Sequence, residues 1–279
     1  SRVRVYGVDF TSVPGPRKPV AVAVCRLAGD ILTFERLERI VSHANFERSL
    51  ASPGPWIGGF DFPFTQSRRF LENIGWPTAW PAFAAHLGRM NRDAYRAALE
   101  GYKRDRVMGD REHSRGFEAG TGAASPQKLY GVPVALMLFE GVPRLHRAGV
   151  HVPGLHDGDP GRIAFEAYPG VAARALIGRA PYKTETRTKQ TPALLDARRA
   201  ILAALTGPAG QARFGLSVKA PGWLADDPGG DPLDALICAV QAAWGMRAQA
   251  ADPTLLSRID PVEGWIADPD VVRRLSHLI

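Results

Sequence analysis

The chain has 279 residues, 45% hydrophobic and 23% charged, enough apolar material for a large packed core, which excludes a mainly disordered protein. Its formal charge is +7 with a pI near 9.7, and most of the basic residues are arginine, whose planar fork suits phosphate, so a polyanionic partner such as nucleic acid or a nucleotide is expected. No run of 18 apolar residues exists and the N-terminus is strand-like, without the apolar region of a signal peptide, so the expectation is a cytoplasmic protein with no membrane partner. Oligomeric state is not legible.

In chain order, Arg2 to Phe10 alternates and then becomes apolar, Lys18 to Leu27 is a β-branched run, and Ile31 to Ile40 follows across Ala28-Gly29-Asp30. Three strands with short connections predict an antiparallel meander. His43 to Ala51 reads as a short helix stopped by Ser-Pro-Gly-Pro, and Trp56 to Phe60 as a short buried strand ending at Asp61. Between about 65 and 160 the character becomes helical. Trp80 to Arg106 predicts one long helix, Arg111 to Gln127 a loop and Pro133 to Ala148 another helix, together a large helical insertion in a single domain spanning 1–279.

The sheet resumes at Arg162 to Tyr168, where Pro169-Gly170 ends the strand after Glu166. Helices near 171–178 and 192–206 are separated by a basic, Thr-rich segment holding Lys183, Arg187 and Lys189. The last long helix has Asp231 as expected N-cap, Pro232 at the first helical position, and apolar residues at helical spacing up to Gly245. EGWIADP reads as a final strand.

The carboxylates carry the chemistry. Asp9, Asp61 and Glu166 each end a predicted strand, and Asp231 and Asp234 share the face of a helix start. Acids far apart in sequence but each on a rigid element are what a fold needs to gather oxygen ligands for a divalent metal. Each also has a plainer reading: Asp9 can bond the following turn, Asp231 can cap its helix, and Glu166 can pair with an arginine. Asp61, after the apolar Ile57-Gly58-Gly59-Phe60, is costly without a partner or an ion. Lys183, Arg187 and Lys189 could contact phosphates or simply be solvated.

Other chemistries lack their signatures. The histidines have no HxH or HExxH spacing, Cys25 and Cys238 form no CxxC and read as buried thiols, and no Walker A, GxGxxG or GxSxG motif is present.

The order of three antiparallel strands, helix, fourth strand, later strand and helices resembles the ribonuclease H-like fold. This is a three-layer α/β arrangement around a mixed sheet in which parallel strands join the antiparallel meander. Asp9, Asp61 and Asp234 match that fold's acidic positions, and Asp231-Pro232-Leu233-Asp234-Ala235-Leu236 is similar to the helix start of its Holliday-junction resolvase branch. The segments GVDFTSVPGPRKP, IGGFDFPF, FEAYPG, DPLDALICA and EGWI together resemble the family catalogued as domain of unknown function 429, expected to be nucleases of this fold.

The resemblance implies a metal-dependent nuclease or related phosphoryl-transfer enzyme using Mg²⁺ or Mn²⁺. Asp9, Asp61 and Asp234 would be its catalytic carboxylates, Asp231 or Glu166 would complete the metal shell, and Lys183, Arg187 and Lys189 would bind substrate. The alternative is a non-catalytic nucleic-acid or nucleotide binding module in which the acids are caps and salt-bridge partners.

Overall fold

The computed structural model describes residues 2–275. Its strands are β1 (Arg2–Asp9), β2 (Val20–Ala28), β3 (Ile31–Ile40), β4 (Trp56–Phe60), β5 (Val150–His151), β6 (Asp159–Glu166) and β7 (Ser217–Lys219). They form one mixed sheet in the order β5-β6-β4-β1-β2-β3-β7. The meander is as expected: β2 is antiparallel to both β1 and β3. Strand β4 lies parallel to β1 and β6 parallel to β4, so β1, β4 and β6 all end at the same edge. That common edge carries Asp9, Asp61 and Glu166.

The helices are α1 (His43–Leu50), α2 (Arg68–Ile74), α3 (Trp80–Gly88), α4 (Arg92–Arg104), α5 (Val134–Ala148), α6 (Pro169–Ile177), α7 (Pro192–Thr206), α8 (Pro208–Phe214), α9 (Asp231–Ala251) and α10 (Pro269–Leu275). The sheet is covered on both faces because its strands alternate. Val5 and Ile57 join a core with Ala235, Leu236, Ile201 and Phe165, whereas Val8 and Phe60 join a second core with Phe46, Phe83 and Leu138. Helix α9 lies on the first face and α1, α3 and α5 on the second. Among the described residues no helix is long and apolar enough to cross a membrane.

Several elements depart from the sequence reading. The expected helix from Trp80 to Arg106 is two, because the Asn91 side chain accepts from the Ala94 N–H at 2.7 Å and starts α4 afresh. The EGWI segment is not a strand; it closes an isolated bridge between Asp260 and Gly264, and the Ala267 N–H donates to the Glu166 carbonyl at 2.9 Å. Helix α9 does not stop at Gly245 but runs on to Ala251. Gly245 is buried against Ala267 and Phe165, where helix packing outweighs the modest cost of an internal glycine. Strands β5 and β7 and helices α2, α8 and α10 are too short to leave a periodic signal.

Candidate active site

The site begins with two glycines. A Cβ on Gly7 would stand 1.8 Å from the Ala235 carbonyl oxygen, and one on Gly59 would stand 2.2 Å from that of Cys238. Helix α9 therefore rests directly on the backbone of β1 and β4, with Ala235, Ala239 and Ala242 as its own small contacts. Since side chains two apart share a face, Asp9 follows Gly7 and Asp61 follows Gly59 onto the α9 side. The same seat brings the first turn of α9, with Asp231 and Asp234, to the ends of both strands.

Those four carboxylates share one electrostatic neighbourhood. Asp9 is pushed well above the usual carboxylate range, first by burial and then by Asp231, Asp234 and Asp61, and it is hydrogen-bonded to Asp231. Burial also lifts Asp61 to about 7, with Asp234 adding to the rise while Lys183 and a hydrogen bond to Asp9 oppose it. Burial and like charge together favour the protonated form of Asp9. The Asp61 N–H donates to the Val8 carbonyl at 3.0 Å, continuing the pairing of β4 with β1 past the strand end.

Asp234 is fully buried and doubly held. The Tyr182 hydroxyl donates to Oδ1 at 2.7 Å and the Lys183 ammonium to Oδ2 at 2.5 Å. Burial works against the charge on Lys183, but Asp234, with Tyr182, Asp9 and Asp61, raises its pKa well above that of a free lysine. The Tyr182-Lys183 segment is fixed by buried Arg198, which donates to the carbonyls of Tyr182, Ala225 and Pro228. Gly230, at φ +74°, leaves the Lys183 stem 3.1 Å from where its Cβ would be.

Two expectations need correction. Gly230, not Asp231, is the N-cap of α9; Asp231 is its first helical residue, and its side chain turns to Asp9 and to Lys18 Nζ at 3.6 Å. Glu166 does not face the other acids as a ligand. Its Oε1 accepts from Arg115 at 2.7 Å and from the Phe64 N–H at 2.9 Å, and its Oε2 accepts from Arg115 at 2.6 Å, a buried bidentate pair that consumes both oxygens. Arg115 also binds Glu118 at 2.7 Å.

Arg187 and Lys189 lie exposed on a short turn of helix, Arg187–Lys189, and Arg187 lines the same groove as Asp231. The sequence reading missed Lys18, Tyr182 and Arg115. Lys18 and Tyr182 could have been suspected from their places in the GPRKP and PYK segments, but Arg115 meets Glu166 across 51 residues with no local signal. Among the described residues no three His, Cys, Asp or Glu side chains are already gathered as a ligand set. The ammoniums of Lys183 and Lys18 hold Asp234 and Asp231 instead.

Fold and site together define an α/β protein whose mixed sheet delivers acids from adjacent parallel strands to the start of one helix. Residues 7–253 match the model of a family described as protein of unknown function (DUF429), and the chain belongs to that family. No curated protein and no solved structure matches it.

Proposed function

We propose that the protein is a metal-dependent nuclease or related phosphoryl-transfer enzyme on a ribonuclease H-like fold. The strand order, with an antiparallel second strand beside parallel neighbours, supports the fold. The observation that carries the activity is the gathering of Asp9, Asp61, Asp231 and Asp234 at one site, where burial first and like charge second lift Asp9 well above the ordinary carboxylate range and Asp61 to about 7. Buried carboxylates set close together are a costly structural arrangement and a good receptor for a divalent cation.

The donor set fits Mg²⁺ or Mn²⁺, being all hard carboxylate oxygen. Asp9, Asp61 and Asp234 would hold the ion, with Asp231 beside them, and Glu166 would buttress through Arg115. A bound divalent ion supplies activation of water and stabilisation of a leaving oxygen. The chain's own contribution is to give up the proton on Asp9 and to present Lys183, once released from Asp234, to a phosphate oxygen.

A second reading rests on the Lys183–Asp234 ion pair, which already neutralises one acid without metal. A non-catalytic nucleic-acid binding module would need nothing more. Activity separates the two: with Mn²⁺, the purified protein should cleave some member of a panel of RNA, DNA and branched substrates. Asp9→Asn should lower the rate by at least about two orders of magnitude, because a lost shared ligand forfeits several kcal/mol of transition-state stabilisation. A wild type inert across the panel, or an Asp9→Asn protein as fast as wild type, would overturn the enzyme.

A further inference from the structure

Two grooves each reach one of the carboxylates. The first, about 510 Å³, is lined by Asp61, Pro63, Val132, Met137, Tyr168 and Tyr182, with Lys128, Arg174 and Arg179 also on its wall. The second, about 470 Å³, is lined by Asp231, Arg17, Lys18, Arg39, Thr184 and Arg187. Asp61 belongs to one and Asp231 to the other, and Asp9 hydrogen-bonds to both. The adjacent residues Lys183 and Thr184 divide between the two grooves in the same way. Asp61 and Asp231 thus open onto one groove each, with Asp9 between them.

Their linings differ in kind. Proline, valine, methionine and tyrosine side chains make the first groove suited to the flat face of an unpaired base, and Arg17, Arg39 and Arg187, set among Glu185, Asp227 and Asp231, make the second the more polar one and suited to phosphates. Among the described residues, Arg17, Arg39, Lys128, Arg174, Arg179 and Arg187 have no carboxylate within 4 Å, although most arginines on α2, α4 and α5 do. The Lys18–Glu185 pair that partly covers the second groove is exposed, so it opens at little cost.

Resting on the nuclease reading above, we propose that the substrate is a single-stranded segment of nucleic acid lying across both grooves, its bases in the first and its backbone in the second, and cut internally over Asp9. A free nucleotide would fill one groove only. A paired duplex would keep its bases out of the apolar one.

Binding without metal tests this independently of catalysis. Labelled single strands of about 12 nucleotides, as DNA and as RNA, would be titrated by fluorescence anisotropy over a range of salt. Arg179→Glu in the first groove, where the arginine would stack on a base, and Arg39→Glu in the second should each weaken at least one of the two strands about fivefold or more, and Arg39→Glu should also lower its salt slope by about 0.7 per lost phosphate contact. The duplex of the same sequence and a nucleoside monophosphate should both bind more weakly than the single strand. Equal affinity for the monophosphate, preference for duplex, or indifference to charge reversal in either groove would overturn the proposal.

With Mn²⁺, circular single-stranded DNA or RNA should be opened, since internal cutting needs no end. Cleavage confined to linear strands would overturn internal cutting while leaving the nuclease reading intact. A protein that binds as described but cuts nothing would instead remove the nuclease reading, and the cutting step with it, while the two-groove binding mode stands.

Discussion

At the scale of single residues, Asp61 is the group whose ionisation most directly reports the site. Its carboxyl is lifted by burial to about 7 from an ordinary value of 3.8. The folded protein therefore binds a proton that the unfolded chain releases between those values, so this group's contribution to stability falls as pH rises from about 4 to about 7 and is flat above. Asp9, raised by burial and its three neighbours, acts in the same direction. In metal-free protein, Asp61→Asn should gain thermal stability relative to wild type across that window, the difference growing from pH about 4.5 to about 7.5. Millimolar Mn²⁺ should raise the melting temperature of wild type and leave Asp61→Asn unmoved, because only a native-state ligand stabilises by mass action. Melts in which the variant is the less stable at high pH and wild type ignores metal would make Asp61 a structural partner.

At the scale of elements, the decisive contact is α9 on β1 and β4. Gly7 and Gly59 face main-chain atoms that cannot move aside as a flexible side chain would. Gly7→Ala or Gly59→Ala should therefore cost about 3 kcal/mol or more, at the upper end of overpacking, and shift the acids on α9 away from those on the strands. Urea unfolding measures the first effect and loss of Mn²⁺ stabilisation the second. A variant as stable as wild type would mean that α9 floats more freely than the geometry allows. By contrast, Gly15 has nothing within 4 Å of its missing Cβ and should accept alanine with little change.

What the sequence revealed follows the same division. The strand ends at Asp9 and Asp61 were legible because apolar alternation and a strand-terminal acid are local signals, and α9 because of its long run of small and apolar residues. Asp231 was misread as the cap because Gly230 adopts a positive φ, which a sequence does not display. The true partners of Glu166 and Asp234 were hidden for a different reason. Arg115 and Lys183 reach them over 51 residues each, and nothing near either acid says which of the chain's many cations will arrive.

At the scale of the whole molecule, carboxylates tie distant segments of chain together. Glu166 on β6 binds Arg115 from the long connection between α4 and α5, and Glu263 accepts from the N–H groups of both Arg68 at 3.0 Å and Gly116 at 2.9 Å. The side chains of Arg115, Glu118 and Glu166 are almost wholly buried. Removing the cation alone leaves two acids facing each other away from water. Arg115→Ala should cost about 3–5 kcal/mol, the range for an orphaned buried charge, and that cost should shrink as pH falls and Glu166 and Glu118, both raised by burial, take up protons. Chemical denaturation at two pH values checks it; a loss under about 1 kcal/mol would show that water reaches the triad.

Because α9 rests on bare main chain, the gap between its acids and those of the sheet is set by atoms that every residue possesses. Leucine, isoleucine and methionine can be exchanged through the two hydrophobic cores, usually for less than about 1.5 kcal/mol each, and the interior will repack without moving either carboxylate. Only at Gly7, Gly59 and the alanines of α9 does a larger side chain wedge the layers apart. Descendants of such a chain are free to drift over most of their length while the acids keep station. After long divergence, a few glycines and aspartates in fixed order would outlast nearly every other trace of common ancestry.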